Sequence, residues 1–292
     1  MNQEHDNSLQ KNNSMSSLDR IFVLGSAALL LFCLLWSWKY LNPEWLQYQK
    51  QYHRLAPELV ADEAAQKAIL EEKLEIKQFH IPALGRVDRC ISCHRAYDNE
   101  YFAAVAEPLK YHPALLDSHP PEKFGCTICH WGQGRATTKV AAFGRLKHWH
   151  EPLLDGDYVQ ASCGRCHFES YTEGAPYLMM GKQLYEFYGC INCHKKYKIG
   201  GTSGPDITKV ASKQSDEFVW GDHKGKKNVR EWLWKHFQDS QAFDPNSKMV
   251  SYEMSEENAK ALTIYMLSLV DDRYPAEYYV GTPPWAAERS EE

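Results

Sequence analysis

Cysteine and histidine residues recur along this chain at one fixed spacing. Two residues separate the cysteines of each of four pairs, and a histidine directly follows each second cysteine: Cys90, Cys93 and His94; Cys126, Cys129 and His130; Cys163, Cys166 and His167; Cys190, Cys193 and His194. This spacing is the attachment signature of haem c, in which two thiols bond to the porphyrin and the imidazole ligates the iron. The sequence therefore predicts four covalently bound haem c groups, with these four histidines as proximal ligands.

Zinc binding is the competing interpretation, because paired cysteines also form Cys₄ zinc sites. It leaves unexplained why a histidine stands at the same offset in all four motifs. The ninth cysteine, Cys33, belongs to no pair and lies in an apolar segment. The sequence therefore favours haem.

The loops between the motifs contain further histidines that could provide second axial ligands. His112 and His119 each precede a proline, which stiffens the loop, and another histidine pair flanks Trp149. A segment with little other core would place such imidazoles against haem iron. We predict that the distal ligands of the first three haems are His112, His119 and His148, with His150 as the alternative to His148.

The fourth haem has a methionine as its candidate distal ligand. Met249 lies in an irregular stretch between the fourth motif and the last amphipathic segment, and a thioether there would give His/Met ligation. The alternatives are Met254, Met179 and Met180.

Other polar groups are expected around the fourth motif. The Pro205 carbonyl is placed to accept a hydrogen bond from Nδ1–H of His194, which would fix the orientation of that imidazole. His223 and His236 are expected to stay uncoordinated.

An apolar segment lies near the N-terminus. Residues 21–38 contain no charge and would span about 27 Å as a helix, close to the thickness of a bilayer core. No small-residue cleavage site follows, so we predict an uncleaved transmembrane anchor rather than a signal peptide. Haem is attached to cysteines outside the cytoplasm, so the haem domains are expected in the periplasm or on the outer face of the cytoplasmic membrane.

The rest of the chain is predicted to be mainly α-helical with much irregular loop. Helical spacing is clear after residue 175, and Ser255 is placed to cap the last helix. The net charge of −5 gives no reason to expect a nucleic-acid partner. The predicted parts are a polar N-terminus (1–20), the anchor (21–38), a long solvated helical stalk (39–79), a trihaem segment (80–174), a monohaem helical domain (175–275) and a C-terminal tail (276–292).

Several strings resemble known c-type cytochromes. GCINCH, GPDIT, SKM and SEENAKALTIYMLSL resemble a class I cytochrome c domain at the C-terminal end. GRVDRCISCH, HPPEKFGCTICHWGQG, HWHEPLL and YVQASCGRCH are similar to membrane-anchored multihaem cytochromes that accompany cytochrome b type quinol-oxidising complexes of bacterial respiratory chains. The resemblance implies two partners besides the bilayer: quinol-oxidising membrane subunits, and a redox acceptor cytochrome or oxidase.

The expected function is electron transfer rather than enzymatic turnover by the chain itself. Iron with both axial positions filled changes only its oxidation state, and a methionine ligand raises the potential above that of a bis-histidine haem. Opposed charge, basic in residues 195–230 and acidic in residues 251–292, would suit transient docking. The alternatives are a multihaem reductase of a small nitrogen or sulfur substrate, which needs an open iron position, and a relay to extracellular acceptors.

Overall fold

The computed structural model describes residues 15–112, 115–147, 149–169 and 171–286. About half of it is helical, and the two sheets are two-stranded antiparallel hairpins, with β1 (Phe79–Ile81) paired to β2 (Arg86–Asp88) and β3 (Lys195–Lys196) to β4 (Ile199–Gly200). The predicted fold class is confirmed. The α-helices of the described residues are α1 (Ser17–Leu41), α2 (Glu44–Leu59), α3 (Glu63–Glu71), α4 (Leu115–Ser118), α5 (Pro121–Phe124), α6 (Thr127–His130), α7 (Lys139–Ala142), α8 (Pro176–Phe187), α9 (Val229–Gln238) and α10 (Glu256–Leu267).

Helix α1 contains the predicted anchor. The Ser16 hydroxyl accepts a hydrogen bond from the Asp19 amide, and the Asp19 carboxylate accepts one from the Ser16 amide, which together fix the start of the helix. Its 25 residues span about 37 Å, the mean hydropathy reaches 2.2, and none of its side chains is buried. A membrane anchor and a signal sequence both meet these criteria, whereas the core helix of a globular domain would be covered.

The segment predicted as one long solvated stalk is instead two helices, α2 and α3, and α2 packs against the haem-motif region. Gln49, Tyr52 and Ala56 are buried on one face of α2. The Gln49 amide donates to the carbonyls of Glu75 and Ser92 at 2.7 and 3.0 Å. The dense charges on the other face conceal this stripe in the sequence, so the solvated-stalk prediction was wrong on this point.

Residues 80–174 have few long regular elements, as predicted. Three-residue 3₁₀ helices, one ten-residue 3₁₀ helix (Gly156–Arg165) and four-residue α-helices alternate with turns. A small hydrophobic cluster joins this segment to α2 and α3. The cluster consists of Tyr52, Ala56, Val60, Ile69, Ala96, Phe102 and Leu109.

The C-terminal helices form the largest hydrophobic core. Helix α8 crosses α10 so closely that a Cβ at Gly181 would overlap the carbonyl oxygen of Ala261. Tyr185 and Tyr265 meet edge to face at 5.4 Å beside this crossing. The Ser255 hydroxyl accepts a hydrogen bond from the Asn258 amide at 3.2 Å, which confirms the predicted cap of α10.

The chain turns back after α10 and lies along part of residues 80–174. We call residues 271–286 the C-terminal strap. The Val280 amide donates to the Cys166 carbonyl, and the Val280 carbonyl accepts from the Phe168 amide, both at 2.9 Å. The Trp285 ring contacts the rings of Phe168 and Tyr197, with centroids 5.1 and 5.9 Å away. The described part of the predicted tail is therefore packed between the third and fourth motifs.

Candidate haem-binding sites

All four motifs adopt the same local turn. In each, the backbone amide of the histidine donates to the carbonyl of the first cysteine, at 2.9, 3.0, 2.8 and 2.9 Å from the first motif to the fourth. One helical turn therefore brings both thiols and the imidazole to one side of the backbone, which is the arrangement that attachment to a single porphyrin requires.

The first three motifs lie against one another in chain order. A hydrogen bond between the Cys90 and Cys126 thiols, together with burial, raises the pKa of Cys126. Burial raises the pKa of Cys129 to about 12, and the nearby thiols of Cys163 and Cys166 add to this effect. The cysteines of successive motifs are thus close neighbours, so cofactors attached to them would also be adjacent.

A buried carboxylate, Asp88 at the end of β2, fixes the second motif. It accepts hydrogen bonds from the Cys126 amide at 2.5 Å, the Thr127 amide at 3.0 Å and the Thr127 hydroxyl at 2.7 Å. These amides belong to the first turn of α6, where a negative charge is favoured. Gly134 packs on this carboxylate so closely that a Cβ there would overlap it.

Two of the predicted distal histidines face proximal histidines. The ring centroids of His112 and His130 are 6.2 Å apart with perpendicular planes, and those of His119 and His167 are 6.1 Å apart. Two imidazoles that ligate one metal ion from opposite sides have ring centres about 6 Å apart, since each metal–nitrogen bond is about 2.0 Å long and each centre lies roughly 1 Å further on. Both pairs therefore fit axial ligation of haem iron.

Neighbouring groups orient these rings. His119 Nδ1 lies 2.9 Å from the Ser118 hydroxyl oxygen, and a hydrogen bond there would occupy Nδ1 and not Nε2. Burial lowers the pKa of His130, and His112 lowers it further, while a hydrogen bond with the Leu154 backbone acts in the opposite direction. A neutral imidazole is the form that ligates a metal.

For the first motif, the structure describes the surroundings of the proposed proximal ligand His94. His94 Nδ1 lies 3.5 Å from a carboxylate oxygen of Glu107. Burial lowers the pKa of His94, and the Glu107 carboxylate partly offsets this effect. The predicted distal ligand His148 lies outside the described residues, and its alternative His150 is exposed.

The fourth motif has the predicted hydrogen bond. His194 Nδ1 is 2.9 Å from the Pro205 carbonyl oxygen, which confirms that prediction. The loop approaches the ring so closely that a Cβ at Gly204 would overlap it. Only glycine allows the Pro205 carbonyl to reach the imidazole in this way.

The methionine candidates of the fourth site are in different surroundings. Met254 is buried in the hydrophobic core, whereas Met249 is half-buried and its Sδ lies 3.0 Å from His236 Nε2. Burial lowers the pKa of His236 to about 4, and the neighbouring His194 contributes to this shift. Met249 and His236 therefore lie near His194. The sequence predicts only that His236 stays uncoordinated and does not indicate that it lies at this site.

A buried arginine inside the third motif contacts the residue that follows the second motif, and the sequence analysis does not predict this contact. The Arg165 guanidinium stacks on the Trp131 ring at 4.4 Å and donates to an Asp272 carboxylate oxygen at 3.1 Å. It therefore ties the second and third motifs to the C-terminal strap. Its position between the two cysteines of a motif concealed this role, because that position gives no sequence signal of burial.

The described residues contain no group of three or more His, Cys, Asp or Glu side chains that could hold a metal ion by themselves. The thiols and imidazoles instead form the repeated motif turns and the facing imidazole pairs. Protein side chains arranged in this way suit a cofactor that brings its own equatorial ligands.

The comparisons with known proteins agree with this geometry at the C-terminal end. Residues 178–270 match the family model described as Cytochrome c. Neither the curated proteins nor the solved structures include a match to this chain. Residues 178–270 thus form a cytochrome c domain, and this domain supports electron transfer through covalently bound haem.

Proposed function

We propose that the chain is a membrane-anchored tetrahaem cytochrome c that transfers electrons from a quinol-oxidising membrane complex to a redox acceptor outside the cytoplasm. One observation is the main support: the same attachment turn occurs four times, and two of its histidines face a second imidazole at about the separation that axial ligation needs. Haem c, when bound, supplies a one-electron couple whose potential is set largely by its axial ligands.

The proposal assigns residues to each of the four groups. The eight motif cysteines form the thioether bonds, and the four motif histidines are the proximal ligands. His112 is assigned to the second site, opposite His130, and His119 to the third, opposite His167. Met249 is assigned to the fourth site, and His148 is left for the first.

The order of the motifs supports electron entry at the membrane end. Glu44 begins α2, three residues after α1 ends, and its carboxylate accepts a hydrogen bond from the Lys139 amide at 2.6 Å. Burial raises the pKa of Cys93 to about 11, and the Cys90 thiol and the Glu44 carboxylate contribute. The first motif therefore lies beside the end of the proposed anchor, while the third packs on the C-terminal domain.

The ligand types give the proposed direction. Two imidazole ligands at each of the first three sites would keep the potentials of those haems below that of a His194/Met249 haem. Electrons would therefore move from the first three haems to the fourth. Potentiometry on the purified chain should find the sulfur-ligated haem highest in potential. If it has the lowest potential, the direction is reversed.

The number of haems is tested by mass spectrometry of the intact polypeptide. The wild type should contain four covalent haems, and replacing both cysteines of any one motif by alanine should remove one. Cys33→Ala is the matched control and should retain all four. A wild-type mass with fewer than four haems, or thiolates bound to another metal, would contradict the proposal.

Two further experiments separate electron transfer from the alternatives. A chain whose irons all have two protein ligands should take up no carbon monoxide when reduced, whereas a reductase with an open iron position should bind it. Quinol should reduce the haems in native membranes but not in the purified chain if a separate quinol-oxidising partner supplies electrons. Direct reduction of the purified chain by quinol would remove the need for that partner.

The proposed exit uses the exposed lysines of the basic segment. Lys224, Lys226 and Lys227 are all exposed. Replacing them by glutamate should change the salt dependence of electron transfer to a soluble acceptor, because docking between opposite charges is screened by salt. Lys67→Glu, which alters an exposed lysine of α3, is the control. An unaltered salt dependence in the triple variant would remove this docking surface.

A further inference from the structure

The contact between His236 and Met249 has only one attractive form. A thioether sulfur has no hydrogen and can only accept, so His236 Nε2, 3.0 Å from Sδ, must be the donor. The contact therefore fixes the imidazole tautomer as well as the position of the sulfur.

The imidazole is held rigidly. His236 lies on α9 and stacks on Trp232 one turn earlier, with ring centroids 4.3 Å apart and planes 17° from parallel. Leu233 and Phe237 on the same helix are buried in the C-terminal core. The ring thus cannot rotate away without losing its stacking contact.

The backbone of Met249 is held from the same side. The Ser240 hydroxyl, just beyond the end of α9, donates to the Met249 carbonyl at 2.9 Å. The Met249 amide in turn donates to the Ser247 hydroxyl at 3.4 Å. Groups from α9 and the loop after it therefore fix both ends of the methionine.

We infer that His236 is a positioning residue for the axial sulfur of the fourth site, an assignment that rests on the proposed His194/Met249 ligation. Its N–H···S hydrogen bond occupies one lone pair of Sδ and would leave the other lone pair to ligate iron. The bond also withdraws electron density from the sulfur, which favours reduced iron and raises the potential of this haem. This is a second way, besides ligand type, in which the chain places its highest potential at the outer site.

The test compares two variants of the full-length protein in detergent. His236→Phe retains a ring to stack on Trp232 but removes the donor, and His236→Gln retains an N–H donor. The readouts are the potential of the C-terminal haem and the weak red absorption band of ferric haem with a sulfur ligand. We expect His236→Phe to shift the reduction equilibrium at least tenfold toward the oxidised form, about 59 mV for one electron. His236→Gln should restore part of this shift.

Met249→Ala separates this inference from the ligation on which it rests. If Met249→Ala leaves the sulfur band unchanged, the proposed ligation itself is wrong. If Met249→Ala abolishes the band while His236→Phe changes neither band nor potential, only the role of His236 is wrong. If His236→Phe does not fold, a comparison of His236→Gln with His236→Asn still tests the inference. The Asn side chain is too short to reach the sulfur, so the haem potential of His236→Asn should be lower than that of His236→Gln. Equal potentials in those two variants would overturn the inference.

Discussion

Asp88 gives the most direct test of how residues 80–174 are held together. Its carboxylate is fully buried and accepts three hydrogen bonds from the second motif, two of them from the backbone amides of Cys126 and Thr127. In Asp88→Ala both amides lose their partner inside the protein. A buried donor left unpaired costs about 1–3 kcal/mol, so the change should destabilise this turn by about 2–6 kcal/mol.

The assay is native-state hydrogen exchange of the peptide that contains residues 126–130, which measures local opening without requiring two-state unfolding. The lower limit of about 2 kcal/mol corresponds to a roughly 30-fold loss of protection. Asp88→Asn retains one acceptor oxygen, so it should lose less exchange protection than Asp88→Ala. Asp98→Asn, an exposed acid near the first motif, is the control. Wild-type protection in Asp88→Ala would refute the view that this carboxylate fixes the second motif.

Four more outcomes are expected. Gly181→Ala should force α8 away from α10 and lower the midpoint of thermal unfolding by several degrees, and an unchanged midpoint would mean that the crossing can relax. Arg165→Met removes a stacked cation and its carboxylate contact, so it should cost about 2–4 kcal/mol in urea unfolding, while Arg165→Lys should recover only part of this. Burial tends to raise the pKa of Glu72, but its hydrogen bonds with basic neighbours outweigh that and lower it, so its stabilisation exists above the ordinary carboxyl pKa and is lost as pH falls through the lowered value. The stability difference between wild type and Glu72→Gln should therefore be largest near neutral pH and shrink in acid, and a constant difference would contradict this. A chain that ends after Val270 should lose exchange protection around the third motif but not in α2, whose buried face packs beside the first motif, as measured by mass spectrometry of peptides.

Sequence reasoning worked best where structure is local. The motif turn spans five residues, and its chemistry is readable from the residue types, as is the hydroxyl cap at Ser255. The contact between His194 and the Pro205 carbonyl crosses only a short loop and was predicted correctly. In such cases nearby residues determine the geometry, so spacing alone is informative.

Contacts between distant segments were less predictable. The sequence nominated His112 and His119 but gave no means of pairing each with a particular motif, because that depends on how the loops fold back. His236 looked like an ordinary helical residue, since the sequence does not show which side of α9 faces the fourth motif. The stalk prediction failed for a related reason, because a charged helix with one buried stripe has the composition of a solvated helix.

The C-terminal strap couples the surroundings of two motifs that are separate along the chain. Its backbone pairs with residues on both sides of His167. Its Trp285 ring also contacts Phe168 beside the third motif and Tyr197 beside the fourth. Release of this one segment would therefore uncover the third motif and part these aromatic rings in a single event, so the two motifs should respond to it together.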